Sequence, residues 1–130
     1  MIVVDASALI DVLLDASGVS TVAERLFDPR ETLHAPHLLD VEVAQVMRRY
    51  SRAGEIDAAR GMQALEDLDD FPIARYPHHP FLARIWELRH TVTAYDAAYV
   101  ALAEALAAPL ITRDAKLAAS HGHDARIELV

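Results

Sequence analysis

Cysteine is absent from the 130 residues, which removes disulfides, thiolate zinc sites and thiol nucleophiles together and fits a reducing compartment. Glycine occurs four times without clustering, so the chain has no glycine-rich loop of the kind that cradles phosphates. Lysine occurs once, at Lys116, and a net charge of −8 argues against a protein that grips nucleic acid through a broad basic surface. No apolar run approaches the roughly 20 residues of a membrane span. No basic region precedes the apolar N-terminal run, so neither an anchor nor a signal peptide is expected, and the expected location is cytoplasmic. What the chain has in quantity is apolar content: 53% hydrophobic residues suffice for one compact domain, expected to span residues 1–130.

The hydrophobic period switches repeatedly between short strand-like runs and helical stripes, which predicts an α/β fold with a mostly parallel sheet of about five strands flanked by helices. The strands are expected at Ile2 to Val4, Thr32 to Ala35, Ile73 to Tyr76, Leu110 to Thr112 and Ile127 to Leu129. Ser7 is placed to cap a helix through Leu14, and Ser20 one through Phe27, where Asp28-Pro29 stops it. Pro36 is expected to open the next helix, which runs from about Leu38 to Arg52 with Leu39, Val43, Val46, Met47 and Tyr50 on its core face and Gly54 past its end. Further helices are expected at Ala58 to Phe71, with Met62, Leu65 and Leu68 inside and its acids solvated, at Pro80 to His90, and at Thr93 to Ala107.

Four of the twenty acids stand apart. Asp5 follows the first strand and Asp114 the fourth, and in an open parallel sheet the ligand site lies at the carboxyl ends of strands. Either could instead cap the helix that follows it. Glu42 borders the apolar stripe of its helix, whereas Asp40 falls on the opposite, solvated side. Asp96 lies in a first helical turn, where Thr93 and Asp96 have capping-box spacing, yet it shares a face with Tyr99, Val100 and Ala103, where an unpaired charge is expensive. If the four meet in one cleft, their mutual repulsion calls for a cation. Oxygen-only ligands favour Mg²⁺ or Mn²⁺ over zinc. One or two such ions polarise a phosphodiester and orient a water for in-line attack, so phosphodiester hydrolysis is the reaction class the cluster suggests.

The ordered set Asp5-Ala6-Ser7, Glu42, Tyr95-Asp96-Ala97-Ala98-Tyr99 and Leu110-Ile111-Thr112-Arg113-Asp114 resembles a PIN domain, most of all the VapC toxins of type II toxin-antitoxin systems. The resemblance spans nearly the whole chain. It implies a Mg²⁺-dependent endoribonuclease with metal-coordinating, catalytic acids at Asp5, Glu42, Asp96 and Asp114, and a hydroxyl at Ser7 or Thr112 that orients carboxylate or water. It also implies a homodimer, a structured RNA substrate, and a small VapB-like antitoxin that lays a helix or basic side chain across the cleft.

Competing readings are a non-catalytic PIN-like binding module and a receiver-like signalling domain. The receiver reading fits poorly, since Asp5 is followed by alanine rather than a second acid and no central strand ends in a phosphorylatable Asp. Phosphatases with an Asp-x-Asp nucleophile fail because Ser7 occupies the second position. His34, His37, His78 and His79 are declined as ligands for want of ligand spacing on a helix, and His121 and His123 look exposed around a Gly turn. Arg48, Arg49 and Arg52 follow Glu42 and could touch phosphate, but a solvated helix face is the better account of them; they and Arg113 stay outside the expected site.

Overall fold

Strand formation follows the short apolar runs closely. The computed structural model describes residues 1–15 and 19–130. Its strands are β1 (Ile2–Val4), β2 (Leu33–Pro36), β3 (Ile73–Tyr76), β4 (Leu110–Thr112) and β5 (Ile127–Leu129). Every pairing is parallel, in the order β3-β2-β1-β4-β5. The α/β expectation therefore holds, with a fully parallel sheet whose strand order reverses beside β1. Strands β2 and β3 follow to one side and β4 and β5 return on the other, which makes the gap beyond the ends of β1 and β4 the topological switch point.

Strands β1, β2 and β4 are buried along their whole length, as central strands covered on both faces must be. Helix α6 (Ala94–Leu106) lies against β1, β2 and β4 and is buried without a break from Ala97 to Ala103. Its small alanines let the backbone approach the sheet, and the fully buried Tyr99 ring fills the space between. Helix α1 (Ala6–Leu13) contacts β4 and meets α2 (Val19–Leu26), α3 (Leu38–Arg52) and α4 (Ala58–Asp70). The remaining helices are α5 (Leu82–Glu87), preceded by a 3₁₀ turn at His79–Phe81, and α7 (Ala115–Ala118).

Several expectations need correction. Pro36 ends β2 instead of opening a helix; pairing with β1 stops at His34, so Pro36 stands where β2 has β3 alone beside it and its missing N–H breaks no ladder on the β1 side. Residue Asp5, not Ser7, occupies the N-cap position of α1, which ends at Leu13. The cap expected at Ser20 concerns a side chain outside those described. Helix α4 buries Leu68 as expected, but Gly61 and Ala64 take the inward places expected of Met62 and Leu65, and Met62 is 55% exposed. The segment expected as one helix from Pro80 to His90 divides into the 3₁₀ turn and the six residues of α5. His123 is half-buried with its Nε2 within 2.9 Å of Ser120 Oγ, rather than exposed like His121.

Candidate active site

Both strands at the switch point end in residues that bond to each other across it. Asp5 directly follows β1, its N–H donates to the carbonyl of Ile111 at 3.0 Å, and its carboxylate is almost wholly buried at 6% exposure. Two hydroxyls hold that carboxylate: Ser7 Oγ donates to Asp5 Oδ2 at 2.6 Å and Thr112 Oγ1 donates to the same oxygen at 2.8 Å. Each hydroxyl in turn accepts from the chain beyond β4, Ser7 from the N–H of Arg113 and Thr112 from the N–H of Asp114, both at 3.0 Å. A hydroxyl has one proton, and both protons go to Asp5, so the 3.2 Å approach of Ser7 Oγ to Thr112 Oγ1 is a close contact, not a third donated bond. The network pins Asp5 in one orientation and ties the end of the first strand to the backbone of Asp114.

The cleft over this network measures about 690 Å³ and is lined by Asp5, Ser7, Glu42, Asp96 and Asp114 together. Carboxylates from just after β1, from α3, from α6 and from the β4–α7 turn thus line one cleft, with the buried Thr112 bonded to Asp5. Helix geometry brings them there. Glu42 sits one turn into α3 on the edge next to the buried Leu39, Val43 and Met47. Asp96 is in the first turn of α6, whose N-terminus Thr93 caps by accepting the Asp96 N–H at 3.1 Å. Asp114 caps α7, its Oδ1 accepting from the N–H groups of Lys116 and Leu117. For Asp96 and Asp114, cap geometry and cleft position coincide, so the two interpretations open at the level of sequence are compatible.

The electrostatics of the cleft are those of crowded negative charge. Burial pushes the Glu42 carboxyl up to about 7, and the charges of Asp5 and Asp96 push the same way. Burial also raises Asp96, with Asp5 and Asp114 adding to it and Thr93 and Lys116 opposing it. The Tyr99 phenol stands near enough to Glu42 to ease its ionisation. No hydrogen bond of full geometry joins the pair, and both Glu42 Oε1 and Tyr99 Oη are buried without a partner among the described residues. Burial drives the Tyr99 phenol far above its ordinary range, so it stays protonated.

A divalent ion fits this donor set. All the donors are oxygens, burial and neighbouring negative charge suppress the ionisation of Glu42 and Asp96, and a buried oxygen of Glu42 faces no donor. The carboxylates are gathered rather than closed, since among the described residues no group of three or more His, Asp or Glu forms a ready coordination cage.

Several cleft residues lay outside the expected site. Arg113 reaches Asp11 on α1 in an ion pair of 2.8 Å. Arg49, two turns after Glu42 on α3, lines the cleft, as do Gln45, Tyr50 and Tyr95. Helical spacing from Glu42 to Arg49 was the available signal, but only the tertiary placement of α3 shows which of three nearby arginines turns inward. Asp40 does lie away from the cleft, yet it is not free in solvent: Arg75 grips it with two bonds of 2.8 and 3.0 Å. His34 is buried, with its ring nitrogens 2.8 Å from Thr32 Oγ1 and 2.7 Å from Tyr76 Oη.

Comparison with known proteins agrees with this architecture. The PIN domain family profile matches residues 2–120. Ribonuclease VapC12 of Mycobacterium tuberculosis is 45% identical over 130 residues, covering 100% of this chain and 99% of its own. Ribonuclease VapC1 of the same organism is 45% identical over 129 residues, covering 98% of this chain and 96% of its own. Among solved structures, that of PAE2754 from Pyrobaculum aerophilum superposes with a TM-score of 0.69 at 28% identity, over 96% of this chain and 81% of that one. A fully parallel sheet with its acids at the switch point, a matching family profile and near-complete alignment to named VapC ribonucleases establish that this chain belongs to the PIN domain family, among the VapC ribonucleases.

Proposed function

We propose that this protein is a Mg²⁺-dependent endoribonuclease, with Mn²⁺ an acceptable substitute, and the toxin of a type II toxin-antitoxin pair. The observation that carries the proposal is that Asp5, Glu42, Asp96 and Asp114 line one cleft, in which burial and neighbouring acids disfavour the Glu42 and Asp96 anions. The names of the VapC relatives, ribonucleases aligned over nearly their full length, support the same reaction. These four acids would hold the ion. When bound, it would supply Lewis acidity to the phosphodiester and lower the pKa of a water.

The chain's own residues do the rest. Ser7 and Thr112 fix the Asp5 carboxylate so that no reorganisation is needed when substrate arrives. Glu42 and Asp96, destabilised as anions by burial and neighbouring acids, would gain most from a bound cation. Arg49 and Arg113 bring positive charge to an otherwise acidic surface, where arginine suits bidentate contact with phosphate. The buried Ile10 and the partly buried Val46 line the same cleft and give it an apolar side next to the carboxylates.

The proposed partners follow the same reading: an RNA substrate, a VapB-like antitoxin whose basic side chain crosses the acidic cleft, and a second copy of the chain as homodimer. The whole of residues 1–130 acts as one PIN domain, and its place of action is the cytoplasm. Among the described residues no helix is long and apolar enough to cross a membrane. The test is to incubate the purified protein with total cellular RNA and sequence the new ends. Discrete cuts that vanish in chelator and in Asp96→Asn are expected; intact RNA with correctly folded wild-type protein overturns the proposal.

A further inference from the structure

Some residues that line the cleft beside the acids carry no carboxylate for an ion. Tyr95 immediately precedes Asp96 at the start of α6, lines the cleft, and is 66% exposed. Its ring takes part in no aromatic or cation–π contact among the described residues. Val41 on α3 lines the same cleft and is also highly exposed, although it is one residue from Glu42. Exposing a large aromatic beside a charged cluster gains the folded monomer nothing, since the ring shields no core and stabilises no neighbour.

Arg49 lines the cleft as well. It stands seven residues after Glu42 on the same helix, so the two are separated by about 10.5 Å along the axis and share a face. The other cleft arginine, Arg113, is held by Asp11, whereas Arg49 has no carboxylate partner among the described residues and lies 5.6 Å from the centre of the Tyr50 ring. The cleft therefore presents, beside its acids, an unstacked aromatic and an unpaired guanidinium.

We infer that Tyr95 is a specificity-determining residue that stacks on the base next to the scissile phosphate, while Arg49 takes a neighbouring phosphate of the same strand. This rests on the ribonuclease reading above. The argument is one of adjacency. A phosphate drawn into the cleft beside Asp96 would bring its nucleoside toward Tyr95, because both residues line the same cleft at the start of α6. An aromatic face accepts any base but only an unstacked one, so the nucleotide at the cut must be unpaired. An apolar side chain of an inhibiting protein could also cover Tyr95, but it would leave Arg49 without the anion that the spacing from Glu42 provides for.

The experiment compares wild type, Tyr95→Ala, Tyr95→Phe and Arg49→Ala on an oligoribonucleotide carrying the cut site mapped in total cellular RNA. A second version of that oligonucleotide has an abasic ribose beside the cut. The stacking interaction predicts that Tyr95→Ala raises KM by about 5- to 150-fold with little change in kcat, that Tyr95→Phe keeps most of the affinity, and that the abasic substrate erases the difference between wild type and Tyr95→Ala. Arg49→Ala should raise KM and flatten its dependence on salt. An unchanged KM in Tyr95→Ala, an effect confined to kcat, or an equal loss on the abasic substrate overturns the inference. So does a variant that weakens only binding of an inhibitor protein. Absence of any cut by folded wild-type protein instead overturns the ribonuclease reading beneath it, and circular dichroism of each variant separates both results from misfolding.

Discussion

Replacing Glu42 by glutamine should make the metal-free protein more stable at pH 8, although it removes a group proposed for the active site. Burial, reinforced by Asp5 and Asp96, holds this carboxyl at about 7, against 4.5 for an unperturbed glutamate. A carboxyl with its pKa raised by folding binds more protons in the folded state than in the unfolded one. Its contribution is therefore fully present below pH 4.5 and is lost as the pH rises through 7. At about 1.36 kcal/mol per pH unit, the interval amounts to about 3 kcal/mol. The cleft is open to solvent on one side, and screening there reduces the effect to about 1.5 kcal/mol. Glutamine keeps the shape and removes the charge. For a chain of this length the gain corresponds to a rise in Tm of about 5 °C. Thermal unfolding of both proteins in chelator, followed by circular dichroism from pH 4 to pH 8, should show a gap that opens between pH 4.5 and 7 with the variant above. Mg²⁺ added to wild type should narrow it. A variant Tm at or below wild type at pH 8, or a gap independent of pH, refutes the reasoning that the cleft crowds uncompensated charge.

Two further predictions separate positioning from structure. Ser7→Ala and Thr112→Ala each remove one of the two donors to Asp5 Oδ2, and each should slow single-turnover RNA cleavage by about 10- to 100-fold; wild-type rates in both would show that Asp5 does not need them. Asp40→Asn should cost about 1 kcal/mol of stability through its partly exposed pair with Arg75 and leave cleavage unchanged. A loss of cleavage equal to that of Glu42→Gln would place the active carboxylate on the wrong side of α3.

The sequence carried the site further than it carried the walls around it. Strand ends were legible because apolar runs of three or four residues stop at a carboxylate or a helix cap, and Asp5 and Asp114 mark two such stops. The distinction between Glu42 and Asp40 was legible because helical spacing sorts residues into faces before any tertiary contact exists. Burial of α4 was not, since small residues set its inward stripe: Gly61 and Ala64 let the helix approach, and hydrophobicity alone favoured Met62. Pro36 misled because its place in β2 depends on where the β1 ladder ends. Arg49, Arg113 and Tyr95 were unassigned for the same kind of reason, since whether an exposed residue faces solvent or a cleft is decided by the neighbouring elements that build the cleft.

The central claim is that four carboxylates at the switch point jointly hold a divalent ion that cuts RNA. Calorimetric titration of Mn²⁺ into wild type and Asp5→Asn, paired with cleavage of total cellular RNA by the same preparations, tests it directly. The account predicts ion binding and ion-dependent cuts in wild type, with both lost in Asp5→Asn while its circular dichroism spectrum is retained. Equal Mn²⁺ affinity in the two proteins, or undiminished cleavage by Asp5→Asn, would contradict it.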